Sequence, residues 1–136
     1  MFVRLDDFEG LWRIGREIRH ADGARATLEG TARFAPHDAG LSYHETGWLC
    51  ITGQAPVQAD RRYLWQPGAH GTITVAFEDG RAFHTIDLAH PEARHACAPD
   101  IYDVRYGFTG WPDWHSTWTV RGPRKNYRMT TQYRRA

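Results

Sequence analysis

Glycine and proline interrupt this chain at short, regular intervals, and that punctuation restricts its fold more than any other feature. The breaks fall at Asp22-Gly23, Pro36 to Gly40, Gly53 to Pro56, Pro67 to Gly71, Asp79-Gly80, Pro91, Pro99, Gly110 to Pro112 and Gly122-Pro123. Glycine admits backbone conformations closed to other residues and proline donates no amide hydrogen, so long helices cannot run through them. The segments between are rich in Thr, Val, Ile, Tyr, Phe and Trp and tend to alternate apolar with polar, as strands do. No segment keeps a 3.6-residue period over three turns. Only Leu5 to Glu9 fits a short helical turn. With no repeat, low-complexity tract or linker, residues 1–136 are expected to form one domain. A chain of that length buries roughly two-thirds of its unfolded surface. The expectation is all-β: about eight to ten antiparallel strands in an up-and-down meander, closed as a barrel or folded as a sandwich.

Charge excludes several function classes. Seventeen basic and 16 acidic residues leave a net charge near +1, too little for a global field attracting nucleic acid or anionic membrane. No run of about 18 apolar residues could span a bilayer. The opening MFVRLDDFEG has no apolar stretch behind a basic start. A cytoplasmic location, with Cys50 and Cys97 as reduced thiols, is therefore expected. The tail is locally basic, with Arg121, Arg124, Lys125, Arg128, Arg134 and Arg135 and no acid after Asp113. It reads as a solvated, phosphate-tolerant surface.

The first strand begins Phe8-x-Gly10-x-Trp12, in "FEGLW". This resembles the opening of the calycin superfamily, the lipocalins and fatty acid-binding proteins. The resemblance implies that the Trp12 indole plugs one end of a closed antiparallel up-and-down barrel, beneath an arginine of the last strand. Arg134 in "QYRR" is the match, with Arg135 beside it. Along most of its length the chain is also similar to a bacterial family of small calycin-like proteins, which implies a fold and no activity. Two departures remove fatty-acid carriage from the implication. Only "HADGAR" stands where those proteins insert a helical lid, and their terminal Arg-x-Tyr is replaced by Lys125-Asn126-Tyr127.

Turns fix which side chains point inward, because directly opposed residues of a hairpin share a face. A two-residue Asp79-Gly80 turn pairs Phe77 with Ala82, Val75 with His84 and Ile73 with Ile86, which sends His84 inward and Phe83 outward. A three-residue loop from Asp22 to Ala24 opposes Ile18 with Leu28, Arg16 with Gly30, Ile14 with Ala32 and Trp12 with Phe34. Arg16 then points inward, with room left by Gly30 and Gly47 and with Glu45 in reach. Tyr43, Glu45, Gly47, Leu49 and Ile51 form the inner set of the third strand, and Arg61, Tyr63 and Trp65 share a face of the fourth. The Gly122-Pro123 turn pairs Trp118 with Tyr127, Ser116 with Met129 and Val120 with Lys125. Residues 94–108 read as one strand bent at Pro99, with His95 and Cys97 on one face before the bend. After it, Asp100, Tyr102 and Tyr106 share a face.

The inner wall thus carries Arg16, Glu45, Arg61, Tyr63, His84, Asp100, Tyr102, Tyr106, Trp118 and Tyr127. A dry core would not hold so many ionisable groups, since each unpaired buried charge costs several kcal/mol. A cavity on the order of a few hundred cubic ångströms is expected, binding a partly apolar small molecule with an anionic or polar group. Its anionic group would meet Arg16, Arg61 or Lys125. The alternative is a cofactor-free lyase, isomerase or cyclase with His84 or Glu45 as base and Tyr102 or Tyr106 as proton donor. A carboxylate locked to Arg16 would favour binding or structure over that chemistry. A third reading, a protein-interaction module, needs an external apolar patch, for which Phe83, Trp48 and Leu64 are candidates. No CxxC or HExxH spacing organises His90, His95, Cys97 and Asp100, so neither metal nor haem is expected. Phosphate-loop and nucleophile-elbow motifs are missing, no cofactor is implied, and Cys97 reads as a packed thiol. Trp111 and Trp114 are expected at the barrel mouth. The partner is a small molecule, and the assembly a monomer or homodimer.

Overall fold

The computed structural model describes residues 3–97 and 100–136, with residues 92–97 described by their backbone alone. Ten antiparallel strands follow a 3₁₀ turn at Leu5–Phe8. They are β1 (Gly10–His20), β2 (Arg25–His37), β3 (Gly40–Ile51), β4 (Val57–Pro67), β5 (Ile73–Phe77), β6 (Ala82–Ile86), β7 (Glu92–Cys97), β8 (Asp100–Gly107), β9 (Trp114–Arg121) and β10 (Asn126–Arg135). They form one sheet in the order β6-β5-β4-β3-β2-β1-β10-β9-β8-β7. Apart from the β1–β10 pair that joins its two halves, each strand pairs with its sequence neighbour, as an up-and-down meander does. The sheet curls until Phe83 of β6 lies 5.2 Å from Trp118 of β9. Between its edge strands β6 and β7 only an isolated bridge, Asp87 with His90, occurs among the described residues. A continuous ladder closing the expected barrel is therefore not seen there. No helix among the described residues is long and apolar enough to cross a membrane.

The end plugged by Trp12 follows from its sequence motif. Gly10 has φ +123°, and a Cβ there would stand 3.0 Å from the Arg135 guanidinium, so only glycine suits the position. Trp12 is fully buried and donates its indole hydrogen to the Phe8 carbonyl at 2.8 Å. Of the two arginines expected over the indole, Arg134 and Arg135, it is Arg135 that lies there, 3.9 Å from the ring centroid. Arg135 is the residue in register with Trp12, whereas Arg134 opposes Arg13 on the outer face. Arg135 also donates to the carbonyls of Glu9 and Asp7. Trp111 and Trp114 join this plugged end, 5.6 and 5.8 Å from Trp12, which corrects their expected place at the mouth.

Several registers differ from expectation while the faces agree. The β1–β2 loop is three residues long but sits at Ala21 to Gly23, closed by His20 N–H to the Ala24 carbonyl at 2.9 Å. Arg16 therefore opposes Leu28, and Ile14 opposes Gly30. The two-residue shift leaves alternation intact, so Arg16 still faces inward. The β9–β10 hairpin shifts likewise, with Trp118 opposite Met129 and Tyr127 opposite Val120. Gly30 and Gly47 oppose each other. A Cβ on Gly30 would come 2.0 Å from the Thr46 carbonyl oxygen. The pair thus serves the close approach of β2 and β3, not a slot for Arg16.

Two corrections concern Phe83 and the stretch 94–108. The Phe77 N–H donates to the Arg81 carbonyl and the Gly80 N–H to the Phe77 carbonyl, both at 2.8 Å, which makes a three-residue turn at Glu78 to Gly80. A bulge then restores the Val75–His84 pairing. The extra residue is Phe83, which the bulge sends into the core at 2 % exposure, beside a buried His84. Phe83 therefore contributes nothing to an external patch. Trp48 is 54 % exposed between Glu29 and Gln58, and Leu64 is half-buried. Residues 94–108 are no single bent strand: Cys97 pairs with Asp100, so β7 and β8 form a hairpin. Ala98 and Pro99, and the side chains of His95 and Cys97, lie outside the described residues.

Candidate functional site

Strand alternation brings Arg16 (β1), Glu45 (β3) and Thr131 (β10) together in the middle of the curled sheet, all buried. Arg16 donates from Nη1 and Nη2 to the two Glu45 oxygens at 2.5 and 2.7 Å and from Nε to Thr131 at 2.8 Å. The Tyr43 hydroxyl donates to Glu45 at 2.6 Å and lies 2.9 Å from the Tyr133 hydroxyl. The result is a fork-to-fork ion pair whose carboxylate accepts three donors. Burial opposes charge on Glu45, but the Arg16 hydrogen bonds and charge outweigh it and hold its pKa below the ordinary carboxylate value. Burial likewise opposes charge on Arg16, and Glu45 overrides it, raising the Arg16 pKa. Glu45 is therefore a locked counter-ion, not the general base considered from the sequence. Burial keeps the surrounding phenols protonated: those of Tyr43 and Tyr106 sit well above 10, and that of Tyr133 is pushed up to about 12.

Beside this network lies a cavity lined by Arg61, Tyr63, His84, Tyr106, Ser116 and Trp118 as well as the ion pair. It holds about 20 Å³, room for one water. Among the described residues this interior cavity falls well short of the expected few hundred cubic ångströms, because aromatic rings fill the space around it. Trp114 stacks on Tyr133 at 3.6 Å, and Phe34, Tyr43 and Trp65 close together above the plug. Tyr102 does not line this cavity. His84 does, with Nε2 2.9 Å from the Tyr106 hydroxyl.

The end opposite Trp12, the mouth, is less tightly packed among the described residues. There Ile18, Leu49, Arg61, Tyr63, Phe77, Tyr102 and Tyr127 face inward while remaining half-exposed. Arg61 lies 5.8 Å over the Trp118 ring and no carboxylate stands within ion-pair distance of it among the described residues. The Lys125 ammonium stands 3.5 Å from Asp100 and donates to Tyr102 at 3.4 Å. Tyr127 senses Arg61, Tyr102, Lys125 and Asp100 together, and its pKa is raised by partial burial first of all. The structure thus divides the expected inner wall. Arg16, Glu45 and Tyr106 are sealed at mid-depth. Arg61, Tyr63, Asp100, Tyr102, Lys125 and Tyr127 belong to the mouth, with His84 and Trp118 between. Tyr43, Thr131, Ser116 and Tyr133 were not singled out as site residues. Alternation carried the signal: Tyr43 lies two residues from Glu45, and Thr131 and Tyr133 continue the face of Tyr127.

Among the described residues no three His, Cys, Asp or Glu side chains gather as metal ligands would. No curated protein sequence matches the chain. A solved structure with a similar fold is the S-type phycobiliprotein lyase CPES from Guillardia theta, with a TM-score of 0.68 and 8% identity over 98% of this chain and 93% of that one. At that identity the likeness is one of fold alone. The profile of DUF6314, a family of unknown function, matches residues 8–135, and the chain belongs to that family.

Proposed function

We propose that this protein binds a small molecule in its mouth, and that the ligand is an anion with an apolar or aromatic body anchored on Arg61. The observation that carries this is charge balance. Arg16 is neutralised by Glu45 and Lys125 stands against Asp100, which leaves Arg61 as the inward-facing cation without a described carboxylate. It sits among Tyr63, Trp118 and Tyr127, the mixture of aromatic wall and few polar groups that small-molecule sites use. The small size of the described interior cavity favours a ligand that rests above it, with half-exposed Tyr63 and Arg61 swinging to admit it. In this reading the curled sheet closes as a barrel whose seam runs between β6 and β7. A fold shared with a phycobiliprotein lyase supports a small-molecule role and leaves the ligand open.

Lyase or isomerase chemistry is the second reading. It draws on His84 and Tyr106, paired at 2.9 Å beside the cavity, with Tyr106 protonated as a donor would need to be.

Titration with anilinonaphthalene sulfonate, an anionic aromatic probe, tests the anchor. One-to-one saturable binding is expected, weakened about tenfold in Arg61→Gln, as loss of a charge-assisted contact predicts. The neutral probe phenylnaphthylamine should bind both proteins alike. Equal sulfonate binding by the two proteins would remove Arg61 from the account.

A further inference from the structure

The outer face of the sheet carries a feature that the ligand site does not use. Arg128 of β10 opposes Arg19 of β1, and Arg19 opposes Arg25 of β2. Three exposed arginines therefore stand in one row across adjacent strands. Cα atoms of opposed residues are about 4.5–5.5 Å apart, and like charges placed so are destabilising. Of the three, Arg19 has a carboxylate, Glu17 at 2.6 Å. Neither Arg25 nor Arg128 has one within ion-pair distance among the described residues. The row continues through Thr119 to Asp103, and Asp103 is bound to Arg121 at 2.9 Å. A hollow of about 270 Å³ lies beside the row, lined by Glu17, Arg19, Arg128 and Thr130.

We infer that this row is a docking surface for an acidic protein partner that presents carboxylates in a line. Four points of chemistry select that occupant. The uncompensated cations ask for negative charge, which would remove the repulsion the sheet otherwise carries. Their spacing of about 5 Å approaches the 5–6 Å between side chains four apart on a helix, so one acidic helix face can meet all three. Glu17 inside the hollow opposes a small free anion. The outward residues flanking the row, Thr27, Thr119 and Thr130, carry no aromatic ring for a base to stack on, and the exposed Trp48 farther along this face stands opposite Glu29, whose carboxylate repels a phosphate backbone. The row lies at the mouth end of β1, β2 and β10, next to His20 and Tyr127. The inference does not depend on what the mouth binds.

The test uses a fluorescent helical peptide with glutamates four residues apart along one face, and a second peptide with the same residues scrambled. At low ionic strength the striped peptide should bind the full chain and the scrambled one should bind at least about tenfold more weakly. Arg25→Gln/Arg128→Gln should weaken the striped peptide by about tenfold or more. It should also raise the melting temperature slightly, because a repulsion is relieved. Arg124→Gln, on a nearby turn outside the row, should change neither. Equal binding of the two peptides, or unchanged binding by the double variant, would overturn the inference. So would tighter binding of a single-stranded oligonucleotide of equal charge, or one-to-one displacement of the peptide by inorganic phosphate.

Discussion

Glu45→Ala is expected to destabilise the fold by about 3–5 kcal/mol, because it leaves the Arg16 guanidinium buried without its counter-ion. The two side chains are 3% and 4% exposed, so water cannot replace the lost partner without rearrangement. The Tyr43 hydroxyl would lose its acceptor in the same step. Removing both charges is a different experiment. Arg16→Met/Glu45→Leu should lie within about 2 kcal/mol of the wild type or above it, since two apolar side chains of similar volume need no compensation. Urea denaturation of the single and double variants checks this, with the m-value as control for two-state behaviour. Additive losses in the double variant would show that the pair is not coupled. The same pair sets an acid limit. The Glu45 pKa in the fold lies below its ordinary value. Its contribution is therefore complete above the unfolded pKa near about 4.3 and disappears as pH falls through the folded value. The Arg16→Met/Glu45→Leu protein should have a flatter stability profile in that acid range.

Trp12→Ala is expected to cost about 3–5 kcal/mol, the range for removing a large, fully packed aromatic. The indole is the centre of the plug: it bonds the Phe8 carbonyl, meets Trp111 and Trp114 edge-on and lies under Arg135. Arg135→Ala should cost less, because Arg135 is an exposed residue and its loss leaves no interior cavity. Thermal unfolding of the two variants orders them, and Trp12→Ala is expected to lose the near-ultraviolet dichroism of the packed tryptophans. A near-native melting temperature for Trp12→Ala would mean that the plug does not hold the sheet together.

Alternation made much of the fold legible, and its limits explain what was missed. Arg16, Glu45, Arg61 and His84 face inward as the period of two requires, even though two hairpins are displaced by two residues, because a two-residue slip preserves faces. The slip still matters for the outer surface. With the expected β1–β2 register Arg19 would oppose Thr27, and the arginine row would not exist on paper. Phe83 was misplaced because a bulge breaks alternation without a glycine or proline to announce it. The hairpin of β7 and β8 is hidden in the sequence because one bent strand and two paired strands differ only in the pairing, here Cys97 with Asp100. Cavity volume was the least legible quantity. It depends on how Trp65, Trp114, Tyr133 and their neighbours interlock, and a list of inward residues does not specify that. The same packing turned Glu45 from a candidate base into a bound counter-ion.

The central claim is that the mouth opposite Trp12, built around Arg61, receives an anionic, partly apolar ligand. Nuclear magnetic resonance mapping of bound anilinonaphthalene sulfonate tests it most directly. The account predicts shifts concentrated at Ile18, Leu49, Arg61, Tyr63, Tyr102 and Tyr127, with little change around Phe8 and Trp111. Shifts centred on the plugged end or on the outer face of β1, β2 and β10, with the mouth unaffected, would contradict it.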